Sequence, residues 1–471
     1  MLVSSREGAE PDGSQIYPMK NPLFALALAL PLASGCAYDN DKRDTPTGGH
    51  SSAARVEAGF KSLFDGTSLN GWKFVGKAGQ EYKVRGGNIV CEEGVQGNLF
   101  TEKDYENFVF RFEFKLDYGS NNGVGIRAPL EGDAAYVGME IQILEESGAV
   151  AGKWGKLKPE QYHGSVYGVA AAKLGAMKKP GEWNTQEIVA DGRRIKVTLN
   201  GKVITDFDLN SVTDAKILAQ HPGMLRPGGH IGFLGHNDHV ELRNLRVKEL
   251  PSRFAKDNVA PYPGFAALYN GKDLTGWKGL LASPNDNPAK RAKLPPEKFA
   301  AEQAKADARM KAHWQSVDGA LAFDGKGDSL CTLRDDIGDF ELFVDFKIKE
   351  KGDSGLYLRG SPQVQIWDPF TKPVEHGAEV GSGGFYNNQK NPSKPTKVAD
   401  NPIGQWNRFQ ILMQGEKTTI FLNGKLVTHN VTLENYWDRA LPIFPTGQIE
   451  LQNHGNNLWF KNVYLRELPR H

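Results

Sequence analysis

Two short stretches place polar side chains on one face of what reads as paired strands. Side chains alternate sides along a strand. In SGLYLRGSPQVQIWD, residues 354–368, Tyr357 and Arg359 therefore face away from Leu356 and Leu358, and Gln363, Gln365 and Trp367 face away from Val364 and Ile366. Earlier in the chain, Arg127 follows Gly123 and Gly125 at their parity, and MEIQILEE sets Glu140 and Gln142 opposite Met139, Ile141 and Ile143. The aliphatic sides are ordinary sheet core. The other sides carry amides and a guanidinium, which pair with hydroxyls, and aromatic rings, which pack on sugar C–H surfaces. One such face alone is what an exposed strand shows. Two, sharing an Arg and a Gln, point to a carbohydrate-binding surface.

Glu140 is a candidate general base. Ordinary glycosidases place two carboxyls about 5–9.5 Å apart across the bond they break. Glu140 and Glu145 would lie about 16 Å apart on a straight strand, at about 3.3 Å per residue, and on opposite faces. They make a poor pair. His163, which opens HGSVYG with Tyr167, is a second candidate base, and His236 and His454 are further site candidates. The competing reading for each is a hydrogen-bonded structural histidine. His236-Asn-Asp-His239 has ambiguous metal spacing, so a divalent cation is the one cofactor the chain suggests. Trp183 and Trp406 precede apolar runs and are expected in the core. HExxH, P-loop and GxSxG patterns are missing from the sequence.

The elements that must position these residues come twice. LFDGTSLNGWK at 63–73 returns as LYNGKDLTGWK at 268–278, and ENFVFRFEFKL at 106–116 returns as GDFELFVDFKI at 338–348. NNGVGIRA returns as GDSGLYLRG, setting Arg127 over Arg359; GEWN returns as GQWN; and IGFLGHNDHVELRNLRVKEL returns as IELQNHGNNLWFKNVYLREL, setting His236 over His454. Common order in every block indicates duplication. Short alternating runs parted by Gly and Asn-Gly turns, with no crossover helices, predict antiparallel sandwiches. The second copy gains residues after LTGW, where PPEKFAAEQAKADARMKAHW predicts one exposed helix. The expected units are a sandwich over 58–250, a linker over 251–264 and a second sandwich over 265–469.

Lys+Arg number 57 against 56 Asp+Glu, a net charge of +1. That gives no electrostatic case for nucleic acid or an anionic membrane surface. Met19-Lys20 followed by PLFALALALPLASGCA reads as an export leader over 19–36, too short to span a bilayer permanently. Ala33-Ser34-Gly35-Cys36 is similar to a bacterial lipobox, with Ala where Leu is usual. Met19 is a better start for this leader than Met1. The expectation is an exported bacterial lipoprotein, periplasmic or outer-membrane-anchored, touching membrane only through lipid on Cys36, with 37–57 as a flexible tether. Cys91 and Cys331 fall in different copies and are expected as buried free thiols.

Both copies resemble the 3-keto-disaccharide hydrolase domain family. The matching stretches are LFDG with its following GW, the NNGVGIR and DSGLYLR runs, MEIQILE and PQVQIWD, GEWN and GQWN, the NG hairpin and the closing LQNHGNNLWFKNVYLREL. The resemblance runs from residue 58 to 469. It implies a concanavalin-like jelly-roll sandwich in each copy, hence an all-β chain of two tandem sandwiches with one inserted helix. It also implies action on glycosides oxidised at C3. The family's strand pattern, Glu-x-Gln-x-x-Asp, falls on Glu140, Gln142 and Glu145 in the first copy. In the second it falls on Gln363, Gln365 and Asp368, and a glutamine at 363 cannot act as a base. A C3 ketone acidifies the C2 proton. A base removes it, a cation or donor holds the enolate, the C1 substituent leaves and water adds back. The expected roles are Glu140 or His163 as base and Arg127 or a bound cation as enolate stabiliser. Substrate contacts are expected from Gln142, Glu145, Tyr167 and His236, and in the second copy from Tyr357, Arg359, Gln363, Gln365, Trp367, Asp368 and His454. The competing reading is a non-catalytic, lectin-like glycan-binding protein.

Overall fold

The computed structural model describes residues 57–470 apart from 80 and 375. The leader, Cys36 and nearly all of the tether lie outside the described residues. Phe108, Phe110, Phe112 and Phe114 alternate with half-exposed residues along the strand Phe108–Leu116 and are at most 2% exposed. Their period of two drives one face of a sheet into a core. That sheet runs, edge to edge, Lys202–Asp208, Arg194–Leu199, Trp183–Asp191, Phe108–Leu116, Val240–Glu249, Asn88–Cys91 and Lys83–Arg85, with Lys61–Ser62 also pairing the Val240–Glu249 strand. The facing sheet runs Trp72–Val75, Asn98–Thr101, His230–Gly235, Asn121–Ala128 and Met139–Leu144. Val124, Ile141, Ile143 and Phe233 from this sheet meet the phenylalanine row, with Phe233 edge-on to Phe112 at 5.6 Å. All pairings are antiparallel.

The second half repeats this order from Trp314–Val317 to Lys425–Thr432 in one sheet and from Trp277–Gly279 to Gln363–Trp367 in the other. The expected all-β tandem architecture is the one the chain adopts. Asn200-Gly201 and Asn423-Gly424 turn with positive φ at both residues, closing Leu199 onto Lys202 and Leu422 onto Lys425. The inserted helix spans Pro296–His313 and buries only Ala306 and Met310 among its residues. It packs so close to the sheet edge that a Cβ at Gly279 would stand 2.2 Å from the Ala306 carbonyl oxygen. Cys91 and Cys331 are buried free thiols.

Trp183 and Trp406 are not core. Trp183 pairs with Lys115 on the outward face of its sheet and lies half-buried beneath Arg243, 3.8 Å from the ring centroid. Lys461 covers Trp406 in the same way at 4.3 Å. Cations shield these rings where aliphatic packing was expected.

The outward face of the second half's larger sheet is buried as well, against the first half. Leu412, Phe421 and Leu468 join the first sandwich's hydrophobic core. Glu341, fully buried, accepts from Arg193 at 2.5 Å and from Arg466 at 2.9 Å. The linker is packed too: its Phe254 and Tyr262 join Phe265 around Phe343 and Tyr464.

Candidate active site

The outward face of the first half's five-stranded sheet forms the floor of a cleft of about 550 Å3. Cross-strand register sets Asn98, Leu234, Gly123 and Gln142 in a row, with Gly125 beside Glu140. A side chain at residue 123 would collide with Glu140, its Cβ falling 2.0 Å from Oε1. Glycine there lets the carboxylate lie down across the neighbouring strand. Glu140 is 4% exposed, and its Oε1 has no protein hydrogen-bond partner; Gln142 Oε1 and Asn121 Oδ1 share that condition and line the same cleft. Buried acceptors without partners are costly. Three of them converging on one cleft suit a ligand rich in hydroxyl donors.

His236 follows the strand His230–Gly235 and reaches back over the floor, with Nε2 3.7 Å from Glu140 Oε1. Burial pulls its pKa down, but the interaction with Glu140 outweighs burial and leaves the imidazole above its ordinary value. The lip beside His236 is thus biased toward a cation next to a carboxylate. The walls come from the segments between strands. Tyr136 and Trp154 line the cleft at 39% and 36% exposed, and Tyr167 accepts from Gln161 Nε2 at 2.9 Å. The Trp154 indole donates to the Gly119 carbonyl at 3.0 Å, which fixes its ring at the mouth.

The structure brings together Glu140, Gln142, Tyr167 and His236. Arg127 is a correction. Its φ is +49°, and the register slips there so that Ile126 and Arg127 together face the single residue Ile231. This bulge breaks the two-residue period. It sends the guanidinium, fully buried, to the Glu106 and Gly192 carbonyls and to Asn107 Oδ1, away from the cleft. Arg359 repeats the device with φ +55° and bonds to Asp339 Oδ1 and the Gly415 and Pro445 carbonyls.

His163 is also corrected. It is 1% exposed and stacks on Phe114. Nδ1 accepts from the Leu144 N–H, and Nε2 lies 2.9 Å from Gln186 Oε1. Burial lowers its pKa to about 4, so it stays neutral behind the sheet. Glu145 turns off the cleft to cap the helix Glu146–Val150, accepting from the Gly119, Ser147 and Gly148 N–H groups. Asp368 does the same for Lys351, Phe370 and Thr371. The two halves of His236-Asn-Asp-His239 point apart, since His239 Nδ1 meets Asp117 Oδ2 at 3.0 Å. Among the described residues no three His, Cys, Asp or Glu side chains converge as a metal site.

In the second half Tyr357, Gln363, Gln365 and Trp367 do share the outward face, but that face closes on itself. Gln363 Nε2 donates to Gln365 Oε1 at 3.0 Å and to Gln452 Oε1 at 2.7 Å; Gln365 donates to Asp353, which pairs with His454 at 3.1 Å. Gly125 and Gly232, cross-strand partners in the first half, become Tyr357 and Glu450, partners again. Glu450 is buried, which pushes its carboxyl up to about 7, and Arg291 from the insertion lies 3.7 Å away. The cleft beside Trp367 and Asp368 holds about 60 Å3.

A family model, the 3-keto-alpha-glucoside-1,2-lyase-like domain, matches the chain at residues 59–248 and again at 264–466. A 3-keto-disaccharide hydrolase from Bacteroides thetaiotaomicron is 26% identical over 229 residues, spanning 41% of this chain and 79% of that protein. Two solved structures from Parabacteroides distasonis, each named as a candidate glycosyl hydrolase, are 29% and 25% identical. Each covers 41% of this chain, against 99% and 94% of their own, with TM-scores of 0.35.

Proposed function

This chain belongs to the 3-keto-alpha-glucoside-1,2-lyase-like domain family, and on that footing we propose that its first sandwich cleaves the glycosidic bond of 3-keto-glycosides or 3-keto-disaccharides. The observation that carries the reading is Glu140: a carboxylate 4% exposed, with one oxygen unpartnered, 3.7 Å from His236 in an open cleft.

The sugar ring lies over Gly123, its hydroxyls donating to Gln142 Oε1 and Asn121 Oδ1. Glu140 takes the C2 proton, made acidic by the C3 ketone. The electron pair moves through C2 toward C1, the C1–O bond breaks, and its electrons leave on the aglycone oxygen. Protonated His236 stabilises the developing oxyanion and supplies the leaving oxygen's proton, the role the bulge denies to Arg127. Water then bonds to C1 of the enone and its proton returns to His236. Glu140, whose proton exchanges with solvent in the open cleft once the aglycone has left, delivers a solvent proton to C2. The sum is hydrolysis, and it needs no second carboxylate. Tyr136 and Trp154 supply aromatic faces for the sugar or its aglycone.

The second sandwich is not assigned this chemistry, because Gln363 is an amide satisfied by Gln365 and Gln452. We place the protein outside the cytoplasm, on the strength of the leader 19–36 and its terminal cysteine. The test is an assay of the full chain on methyl 3-keto-α-D-glucopyranoside and on the parent glucoside. Cleavage of the ketone alone, reduced at least about a hundredfold by Glu140→Gln, is the expected result. Glycan binding without turnover of any 3-keto-glycoside would favour the lectin-like reading instead.

A further inference from the structure

The cleft wall that carries Tyr136 does not stand on its own sandwich alone. Tyr136 lies in the short helix Ala134–Val137, which packs on the strands Asn121–Ala128 and Met139–Leu144 and on the turn Pro222–Leu225 of a strap formed by residues 213–226. His221, at the end of the helix Ala215–Gln220, is 4% exposed. Its Nδ1 lies 3.2 Å from the Ala135 carbonyl oxygen, and its ring lies 4.9 Å from that of Tyr136. It also fills the space beside Gly168, where a Cβ would come within 2.6 Å of Nε2, next to Tyr167. Gly223 presses on the end of the same short helix: a Cβ there would stand 1.9 Å from the Gly138 carbonyl oxygen.

This strap is in turn tied to the second sandwich. Gln410 Nε2 donates to the Leu225 carbonyl at 2.9 Å, Gln414 Nε2 to that of Thr213 at 3.1 Å, and His429 Nε2 lies 2.8 Å from that of Ala219. Arg466 donates to the Asn210 carbonyl at 2.9 Å. Ile217, Leu218, Met224 and Leu225 pack in one core with Leu412 and Phe421 of the second sandwich. Strand carbonyls need no such partners, but strap carbonyls do, and here the second sandwich supplies them.

We propose that the second sandwich is a platform for the first one's site, and that His221 is a positioning residue which holds Tyr136 at the sugar. This rests on the reading of the cleft given above. It explains why a copy whose polar face is closed still buries its larger sheet against the first. A wall shifted by about 1 Å weakens substrate placement without removing the base.

The test uses the full chain and two readouts. In hydrogen exchange, His221→Ala and His429→Ala should speed exchange of the segment 134–138, and His221→Asn, which keeps a donor near Nδ1, should restore part of the protection. In kinetics with methyl 3-keto-α-D-glucopyranoside, His221→Ala should raise KM about tenfold while kcat changes less than about threefold. Leu451→Ala, a core truncation in the far sheet of the second sandwich, should destabilise the chain and leave KM unchanged. His429 is exposed, so its variant keeps the test open if His221→Ala does not fold. Unchanged exchange at 134–138 in both histidine variants, or a KM effect matched by Leu451→Ala, would overturn the platform. A chain inactive on every 3-keto-glycoside would sink the proposed function instead, and the exchange readout would still decide this one.

Discussion

His236 Nε2 stands 3.7 Å from Glu140 Oε1, joining a residue just past one strand to the floor of another two strands away. Because Glu140 raises the His236 pKa against the pull of burial, the imidazolium persists above the ordinary imidazole range. A mechanism that uses this cation loses it as pH rises through the raised value. kcat/KM should therefore fall on the alkaline side. His236→Gln should remove that limb and lower the rate about 10–100-fold throughout. An unchanged alkaline limb in the variant would assign it to another group.

His163 supplies a test of its structural role. Burial holds it near a pKa of about 4, against 6.5 for the free side chain. Between these values the unfolded chain binds a proton that the native chain does not, so stability falls as pH falls, by about 3 kcal/mol once pH is below both. Between pH 7 and pH 5 the native protein should lose about 2 kcal/mol more than His163→Asn in denaturant titrations. Parallel losses would contradict the buried neutral imidazole.

The two sandwiches are joined through a buried charge. Burial raises the Glu341 carboxyl, but Arg193 and Arg466 outweigh it and hold it below its ordinary value. Arg193→Ala leaves Arg466 alone to compensate, and should cost about 2–3 kcal/mol in chemical denaturation. A cost below about 0.5 kcal/mol would mean that the pair is no more than a surface bridge.

The proposed lipid anchor is tested by Cys36→Ser, which should move the protein from membrane to soluble fractions of the producing cell. Membrane attachment that survives the substitution would exclude Cys36 as the anchor.

The period of two made most of the fold legible. It assigned the phenylalanine row to the core and put Glu140 and Gln142 on the same outward face. The repeat located the inserted helix and the Asn-Gly hairpins. Strand parity also carried the error at Arg127 and Arg359: a bulge shifts the phase by one residue, and nothing in GVGIRA or GLYLRG marks it. His163 misled because a histidine in a Gly-rich loop looks the same whether its loop folds over the cleft or under the sheet. Tyr136 and Trp154 went unremarked because one lies in a four-residue helix and the other in a turn of the first copy, where no strand period places a side chain. The second copy's closed face had a visible sign in Gln363. The loss of floor space was also written in the sequence, as Tyr357 and Glu450 where the first copy has Gly125 and Gly232, but only cross-strand register shows that these positions adjoin.

The central claim is that Glu140 removes the C2 proton and that C2 regains a proton from solvent after the aglycone has left. Turnover of a 3-keto-disaccharide by the full chain in D2O measures this directly, with the released 3-keto sugar examined by NMR and mass spectrometry and corrected for spontaneous exchange. The account predicts deuterium at C2 of the product, with incorporation and turnover lost together in Glu140→Gln. Product formed at full rate and carrying only the substrate's own hydrogen at C2 would contradict it.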